Sequence, residues 1–254
     1  MARRKLGQHF LIKGSILDRI AAAVCPTHQE RVIEIGPGRG ALTTRLLRRA
    51  NSVIAIELDP MLADYLRRKF TEEPRLEIIE ADVLAVDLAQ WGHVPIAGNL
   101  PYFITSPILE KTVHMAPPRA VYLIQKEVAD RLIAPPGSRD YGFLTVATCL
   151  FADVRLLFEV RPTAFHPPPK VDSAAVLLEP RSGGPSIPEP EKFLGFASQC
   201  FRHKRKTIRN NLAERYGRAF VEAWPEAHLR AEQLSLEQFA EMWGRVRAEP
   251  LAGA

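Results

Sequence analysis

The chain has 254 residues, of which 46% are hydrophobic and 25% are charged, and it carries a formal net charge of +5 with a pI near 9.2. This composition is typical of a globular protein with a substantial core, and no run reaches the roughly 18 apolar residues that a membrane span needs. Three widely separated cysteines argue against a disulfide or zinc framework. The basic N-terminus lacks the apolar segment of a secretion signal, so we predict a soluble cytoplasmic protein.

Strand-like and helix-like segments alternate through the first two thirds of the chain. Apolar runs typical of buried strands occupy residues 31–35, 52–57, 76–79, 93–98 and 120–124. Helix-like segments lie between them at residues 41–49, 60–69 and 106–115. Strands that alternate with helices form parallel sheets covered on both faces. We therefore predict an α/β fold for this part of the chain.

The pattern changes after the fifth predicted strand. Residues 151–160 and 173–178 are strand-like with no helix between them, which predicts an antiparallel end to the sheet. Residues 180–190 are rich in Pro, Gly and Ser, as linkers are, and residues 191–247 have helical periodicity. The predicted organisation is a Rossmann-like domain at residues 1–182 and a small all-helical C-terminal domain at residues 183–254.

A glycine-rich turn, EIGPGRG at residues 34–40, follows the first predicted strand. Its Gly36-x-Gly38 spacing lets the backbone approach a ligand closely and differs from the dinucleotide pattern G-x-G-x-x-G. Glu57 ends the second strand, where a carboxylate can accept hydrogen bonds from both ribose hydroxyls. Asp82 follows the third strand and could accept a hydrogen bond from an adenine amine. This order of groups favours S-adenosylmethionine as the cofactor, and NAD is the competing ligand.

The sequence Asn99-Leu100-Pro101-Tyr102 directly follows the fourth predicted strand. An adenine N6 amine is a poor nucleophile because its lone pair is delocalised into the ring. The Asn99 side-chain oxygen and a backbone carbonyl near Leu100 or Pro101 could accept its two N–H groups and redirect that lone pair. Tyr102 could stack on a base extruded from its helix or loop, and Phe165 is the candidate for the opposite stacking surface. The proton can leave an already cationic nitrogen, so this chemistry requires no metal.

Positive charge is concentrated in a short stretch of the predicted helical domain. The candidate RNA-binding residues are Arg202, Lys204, Arg205, Lys206 and Arg209. A second basic cluster lies at residues 3–5. Clustered cations can bind nucleic-acid phosphates. The same pattern also fits a solvated helix face or, for Arg205 and Arg209, an anchor between the two domains.

Eight motifs occur in order along the chain. They are LGQHFL at residues 6–11, EIGPGRG at 34–40, IELD at 56–59, GNLPY at 98–102, QKEV at 125–128, DYG at 140–142, FHPPPKVDS at 165–173 and RKTIRNNL at 205–212. Together they closely resemble the ribosomal RNA adenine dimethyltransferase family, and the resemblance covers nearly the whole chain. It implies an S-adenosylmethionine-dependent enzyme with a Rossmann-like methyltransferase domain and a small helical domain.

The resemblance also implies a substrate and further site residues. The substrate would be two adjacent adenosines near the 3′ end of 16S rRNA in the small ribosomal subunit, dimethylated at N6 by a monomeric enzyme with a role in ribosome biogenesis. His9 and Leu11 would contact the methionine end of the cofactor. The rest of its site would comprise Gly36, Gly38, Glu57, Asp82 and Asn99. Family members usually carry Asn at the position of His9, and Gln-Arg where this chain has His203-Lys204.

Two other functions remain as alternatives. Relatives that methylate one adenine of 23S rRNA, and so confer macrolide resistance, share the catalytic core. They tend to have Ile at the position of Leu100, and they lack the long match at residues 165–173. The second alternative is a non-catalytic RNA-binding assembly factor on the same fold. The intact residues Glu57, Asp82 and Asn99 argue against a loss of activity.

Overall fold

A computed structural model of the protein describes residues 9–248. The strands are β1 (Phe10–Leu11), β2 (Gln29–Ile35), β3 (Ala50–Glu57), β4 (Leu76–Glu80), β5 (Ile96–Asn99), β6 (Ala120–Gln125), β7 (Ala152–Val160), β8 (Phe165–His166) and β9 (Ser173–Pro180). The α-helices are α1 (Gly14–Val24), α2 (Thr43–Leu46), α3 (Pro60–Lys69), α4 (Thr105–His114), α5 (Lys126–Leu132), α6 (Phe143–Phe151), α7 (Pro190–Cys200), α8 (Ile208–Tyr216), α9 (Arg218–Glu222) and α10 (Leu236–Ala248). Within the described residues, no helix has the length and apolar character needed to traverse a bilayer.

Seven strands form one sheet in the order β4-β3-β2-β5-β6-β9-β7. Strands β2 to β6 pair in parallel with their neighbours, whereas β9 runs antiparallel to both β6 and β7. The predicted α/β fold with an antiparallel end to its sheet is therefore confirmed. All seven predicted strands lie within three residues of the observed bounds at each end.

Two of the predicted helices show how local sequence sets helix length. Helix α3 begins at Pro60 as predicted, and the Asp59 side chain caps it by accepting a hydrogen bond from the Met61 backbone N–H at 2.9 Å. The helix predicted at residues 41–49 contains only the four-residue α2. Its flanks are tightened by i→i−3 hydrogen bonds, such as Arg49 N–H to the Leu46 carbonyl at 2.8 Å, which is the pattern of a 3₁₀ turn.

Helix α1 and strand β1 precede β2 and hold the start of the described chain against the rest of the first unit. Helix α1 buries one face, formed by Ile16, Leu17, Ile20, Ala21 and Val24, and full burial of such a Leu or Ile side chain contributes about 1.5–3 kcal/mol. Strand β1 pairs with β8 in a separate two-stranded sheet, with Leu11 opposite Phe165. Neither α1 nor this small sheet was predicted. Together they hold residues 9–12 in place.

The chain divides into two compact units. The first comprises residues 1–129 and 151–180, and the second comprises residues 130–150 and 181–254. The second unit holds α7 to α10 around buried aromatic side chains, including Phe193, Phe196 and Phe239. The unit division differs from the predicted domains at residues 130–150. That segment is bonded to the C-terminal helical region, for example from the Gly137 N–H to the Glu232 carbonyl at 2.7 Å. A domain boundary at residues 182/183 stays a prediction.

Candidate active site

A cavity of about 430 Å³ lies at the carboxyl ends of β2, β3 and β5 in the first unit. Ligands of open α/β sheets bind at this edge, and the volume is within the usual range for small-molecule sites. The predicted residues that line it are His9, Leu11, Gly36, Gly38, Glu57, Asn99, Leu100, Pro101 and Tyr102. The structure thus brings together side chains that are up to 93 residues apart in sequence.

The glycine turn after β2 is shaped for close approach to this cavity. Gly36 and Gly38 have φ angles of +69° and +57°, a region that favours glycine. A Cβ at Gly38 would also lie 3.0 Å from the Phe10 ring. The Gly38 N–H donates to the Glu57 carboxylate at 3.0 Å. This bond fixes the turn against the end of β3, so any side chain at Gly38 would disturb both the turn and the β1 segment.

The Glu57 carboxylate is only 4% exposed. One oxygen accepts from the Gly38 N–H and the other from the Asp59 N–H, each at 3.0 Å. Burial raises the pKa of this carboxyl group, and hydrogen bonds from the backbone of Asp59, Gly38 and Leu58 oppose that shift. A carboxylate has about four acceptor positions, so the backbone donors leave acceptor capacity for a ligand. Glu57 can therefore hold the glycine turn and still accept from a ribose hydroxyl.

Asp82 lies beside a smaller adjoining cavity of about 50 Å³. Its Oδ1 accepts a hydrogen bond from the Leu84 N–H at 2.9 Å, which orients the carboxylate. The other walls are largely apolar and include Leu58, Val83 and Phe103. Glu57, shared with the larger cavity, is the second carboxylate that lines this slot. An apolar slot with carboxylates at its edge suits a flat heteroaromatic ring with an amine. The ring of Phe103, 64% exposed, was not predicted as a site residue, although its position directly after Tyr102 offered a signal.

Asn99 ends β5, and its position depends on Gly98. A Cβ at Gly98 would lie 2.9 Å from the Ile35 carbonyl oxygen and 2.8 Å from the Leu100 side chain, so only glycine lets β5 approach β2 this closely. The Asn99 Nδ2 donates to the His9 carbonyl at 2.9 Å. Because that bond fixes the amide plane with its nitrogen toward His9, Oδ1 is the atom of the amide that can accept from a ligand.

Of the two backbone carbonyls proposed as second acceptor, one is already engaged. The Pro101 carbonyl accepts from the Ile104 N–H and from the Thr105 hydroxyl, both at 3.1 Å. No residue in the described range 9–248 donates to the Leu100 carbonyl. Leu100 itself is fixed by a buried side chain and by its N–H, which donates to the Leu123 carbonyl at 3.0 Å. The geometry therefore favours the Leu100 carbonyl.

The two candidate stacking residues differ in their surroundings. Tyr102 lines the cavity, and its hydroxyl hydrogen-bonds to the Ser173 hydroxyl at 2.9 Å. Burial raises the pKa of the Tyr102 hydroxyl. Phe165 is 3% exposed and belongs to the hydrophobic core, and its neighbour His166 lines the cavity instead. In this arrangement Phe165 supports β1 from the core and is not among the residues that line the cavity, and its stacking role stays a prediction.

His9 acts through its backbone as well as its ring. Its carbonyl accepts from Asn99, and the ring Nδ1 donates to the Pro167 carbonyl at 2.8 Å. The ring lies 5.7 Å from the Tyr102 ring, centroid to centroid. Since a backbone carbonyl makes the contact with Asn99, replacement of the family's usual Asn by His preserves this contact. Leu11 is buried in β1 and fixes the same segment.

Glu34 is part of the glycine motif but was not predicted as a site residue. Its side chain is 1% exposed at the cavity wall, and its Oε2 has no hydrogen-bond partner among the described residues. Burial raises the pKa of this carboxyl to about 7; Thr43 and Lys69 lower it, while the nearby Glu57 raises it. The available signal was a charged residue inside the apolar, buried half of β2, residues 32–35. A buried carboxylate with one oxygen that lacks a partner suits a ligand with positive charge.

We expect Glu34→Gln to stabilise the ligand-free protein above pH 7. The Glu34 proton leaves the unfolded chain near pH 4.5 and the folded chain near pH 7, so the free energy of unfolding falls as pH rises through this window. One pKa unit corresponds to about 1.4 kcal/mol. Allowing for the cost of burying the Gln amide, we expect a gain of about 1–2 kcal/mol at pH 8 and little change below pH 4.5.

Denaturant unfolding at pH 4.5 and pH 8 measures this effect. Glu77→Gln is the matched control, because Glu77 is an exposed strand glutamate and its replacement should leave the pH dependence unchanged. If wild type and Glu34→Gln have the same free energy of unfolding at both pH values, the Glu34 carboxyl is not buried with an unpartnered oxygen.

The basic stretch lies in the second unit, between α7 and α8. Arg202, Arg205 and Lys206 are exposed. Lys204 is also exposed, but its Nζ donates to the Arg139 carbonyl at 2.8 Å. Arg209 is 23% exposed and pairs with Glu222 at 2.7 Å, which ties α8 to α9 within the second unit. The second basic cluster, at residues 3–5, and the start of the motif at residues 6–11 lie outside the described residues.

Comparison with known proteins agrees with these features. The family described as "Ribosomal RNA adenine dimethylase" matches residues 1–246. The chain is 43% identical over 252 residues to "Ribosomal RNA small subunit methyltransferase A" of Acidobacterium capsulatum, covering 94% of this chain and 89% of that protein. Two solved structures are also similar. One is a dimethyladenosine transferase from Plasmodium falciparum, with TM-score 0.79, 27% identity and coverage of 94% and 98% of the two chains. The other is the 23S rRNA methyltransferase ErmE, with TM-score 0.69, 29% identity and coverage of 94% and 99%.

The family match extends across both compact units. It includes the glycine turn, the carboxylate at the end of β3 and the Asn99 motif that together line the cavity. The chain therefore belongs to the ribosomal RNA adenine dimethylase family and is an rRNA methyltransferase that uses S-adenosylmethionine.

Proposed function

We propose that this chain dimethylates N6 of two adjacent adenosines near the 3′ end of 16S rRNA, within the small ribosomal subunit. It acts as a monomer in the cytoplasm and contributes to ribosome biogenesis. The observation that carries the proposal is the placement of Asn99, whose amide is fixed by the His9 carbonyl at the cavity wall. Support for the small-subunit substrate comes from the 43% identical relative named for that subunit.

The catalytic step depends on two acceptors presented to the adenine amine. Asn99 Oδ1 and the Leu100 carbonyl accept its two N–H groups, so that the nitrogen lone pair points away from the ring plane. Preorganised hydrogen bonds of this kind are often the largest contribution to catalysis. Bound S-adenosylmethionine supplies an electrophilic methyl group activated by its sulfonium. Tyr102 holds the extruded base by stacking.

The cofactor-binding residues divide by the part of the ligand that they fit. Glu57 accepts from the ribose hydroxyls, and Asp82 accepts from the adenine amine in the smaller cavity. His9 and Leu11 fix the segment that covers the methionine end. The backbone of Gly36 and Gly38 approaches the ligand closely because neither residue has a side chain. Asn99 contributes to both the cofactor site and the substrate site. The unpartnered Glu34 oxygen makes this wall suitable for a cationic ligand.

Transfer of labelled methyl groups to purified ribosomal particles tests the substrate assignment. We expect incorporation into small-subunit particles at adjacent adenosines, and none into large-subunit precursors or naked 23S rRNA. Incorporation into 23S rRNA alone would instead support the macrolide-resistance activity. Binding to small-subunit particles without methyl transfer would support the non-catalytic assembly factor.

Tyr102→Ala should lower methyl transfer about tenfold or more, because stacking on a base contributes roughly 1–3 kcal/mol. Tyr102→Phe should have a mild effect, since it keeps the ring and loses only the hydroxyl bond to Ser173. Ser173→Ala is the matched control because it removes the same bond from the other side. Single-turnover rates on small-subunit particles measure all three variants.

Two outcomes would contradict this account of the base site. If Tyr102→Phe loses most of its methyl transfer while Ser173→Ala keeps the wild-type rate, the Tyr102 hydroxyl has a role in the reaction. Phe165→Leu supplies the companion test, since it keeps an apolar side chain in the core and should lower stability more than activity. If Phe165→Leu loses methyl transfer while its free energy of unfolding is unchanged, Phe165 would be the opposite stacking surface, as predicted from sequence.

A further inference from the structure

Two loops of the second unit are joined by direct hydrogen bonds. One connects α5 to α6 at residues 133–142, and the other connects α7 to α8 at residues 201–207. The Lys204 Nζ donates to the Arg139 carbonyl at 2.8 Å, although the two residues are 65 positions apart. The Lys204 Nζ also lies 3.9 Å from the Glu232 carboxylate. Lys204 therefore serves as a connection between the loops.

The joined loops present four cations to solvent. Arg139, Arg202, Arg205 and Lys206 are exposed, and none of their side chains makes an ion pair or hydrogen bond with a described residue. Asp140 is the exposed acid on the same loop. Five other arginines of this unit pair with carboxylates, namely Arg181, Arg209, Arg218, Arg245 and Arg247. Arg215 and Arg230 are exposed and make no ion pair with a described residue, but they do not lie on these loops, where four such cations are grouped.

The backbone of the second loop is fixed even though its side chains are exposed. The Asn211 side chain accepts from the His203 N–H at 3.2 Å and donates toward the carbonyls of Cys200, His203 and Lys206 at 2.9, 3.2 and 3.4 Å. A loop held in one conformation loses less entropy when it binds a partner. The loop is therefore prepared to place cations at fixed positions.

We propose that Arg139 joins Arg202, Arg205 and Lys206 in one two-loop surface that binds RNA phosphates, and that Lys204 positions the loops. The proposal rests on the proposed function, because it takes ribosomal RNA as the partner. Phosphates are recognised by unpaired Arg and Lys side chains, and the four cations meet that requirement. This surface differs from the basic stretch identified in the sequence in two respects. Arg139 comes from a different loop, and Lys204 positions the loops instead of binding phosphate.

Salt titration of binding to purified small-subunit particles tests Arg139 in the full chain. Loss of one phosphate contact lowers the log–log salt slope by about 0.7–0.9, which at 0.1 M salt corresponds to about five- to eightfold weaker binding. We expect this change for both Arg139→Gln and Arg205→Gln. The matched control is Arg218→Gln, which removes one positive charge from the same unit at a residue already paired with Glu222. It should leave the slope unchanged.

A double-mutant comparison tests the positioning role of Lys204. Lys204→Gln should weaken binding by itself, but should add little in the Arg139→Gln background, because it acts by holding the Arg139 loop. A further slope decrease of about 0.7–0.9 in the double variant would make Lys204 an independent phosphate contact and overturn its assigned role. An unchanged slope in Arg139→Gln would overturn the two-loop surface. In either case, wild-type methylation of the same particles shows whether the proposed function itself holds.

Discussion

Asn99→Ala should lower methyl transfer to small-subunit particles by about a hundredfold or more. The variant removes the acceptor oxygen proposed for the adenine amine, and loss of one preorganised hydrogen bond in a transition state commonly lowers the rate by about 10²–10³. The side chain also donates to the His9 carbonyl at 2.9 Å, so some loss of cofactor affinity should accompany the loss of rate. Single-turnover kinetics at saturating cofactor separate the two effects.

Asn99→Asp is the matched variant for this prediction. It retains an acceptor oxygen but removes the Nδ2 donor to His9, so we expect it to keep a larger part of the rate than Asn99→Ala. Calorimetry with S-adenosylmethionine should show only a small change in affinity for the Ala variant compared with its loss of rate. Near wild-type transfer by Asn99→Ala would refute the proposed chemistry. An equal loss of rate and affinity in both variants would make Asn99 a cofactor anchor.

Glu57→Ala should weaken S-adenosylmethionine binding by about a hundredfold. Hydrogen bonds to a charged group contribute about 1.5–3 kcal/mol each, and each 1.4 kcal/mol is a factor of about ten in the dissociation constant. The variant removes the acceptor proposed for the ribose. It also leaves the Gly38 and Asp59 N–H groups without their partner, so the glycine turn should loosen even before ligand binds.

Glu57→Gln distinguishes these contributions, because it keeps one acceptor oxygen without the charge. We expect its affinity to lie between those of wild type and Glu57→Ala. Calorimetry of all three proteins with S-adenosylmethionine, and of wild type with NAD, gives the measurement. Unchanged affinity in Glu57→Ala would remove the residue from the cofactor site, and tight binding of NAD with none of S-adenosylmethionine would overturn the assignment of the cofactor.

Much of the fold and of the cavity could be predicted from sequence, because the relevant signals are local. The runs that form β2 and β3 are largely apolar where they are buried, as strands covered on both faces must be. The carboxyl ends of parallel strands meet at one edge of the sheet, so the amino-acid sequence alone is enough to place Gly36, Glu57 and Asn99 together. Helix α1 was missed even though its apolar positions repeat at helical spacing.

Contacts between distant parts of the chain required the tertiary structure. Phe165 begins a recognised motif, yet its side chain packs in the core, where β8 pairs with β1. Arg209 and Arg205 belong to the same basic motif, but of these two only Arg209 pairs with Glu222. Sequence periodicity indicates which side chains face the interior. It does not indicate which charged side chains form ion pairs with residues of another loop. Such pairs depend on how distant parts of the chain come together, and the local sequence pattern does not record that. That distinction separates Arg209, which has an ion pair, from Arg205 and Arg139, which have none with a described residue.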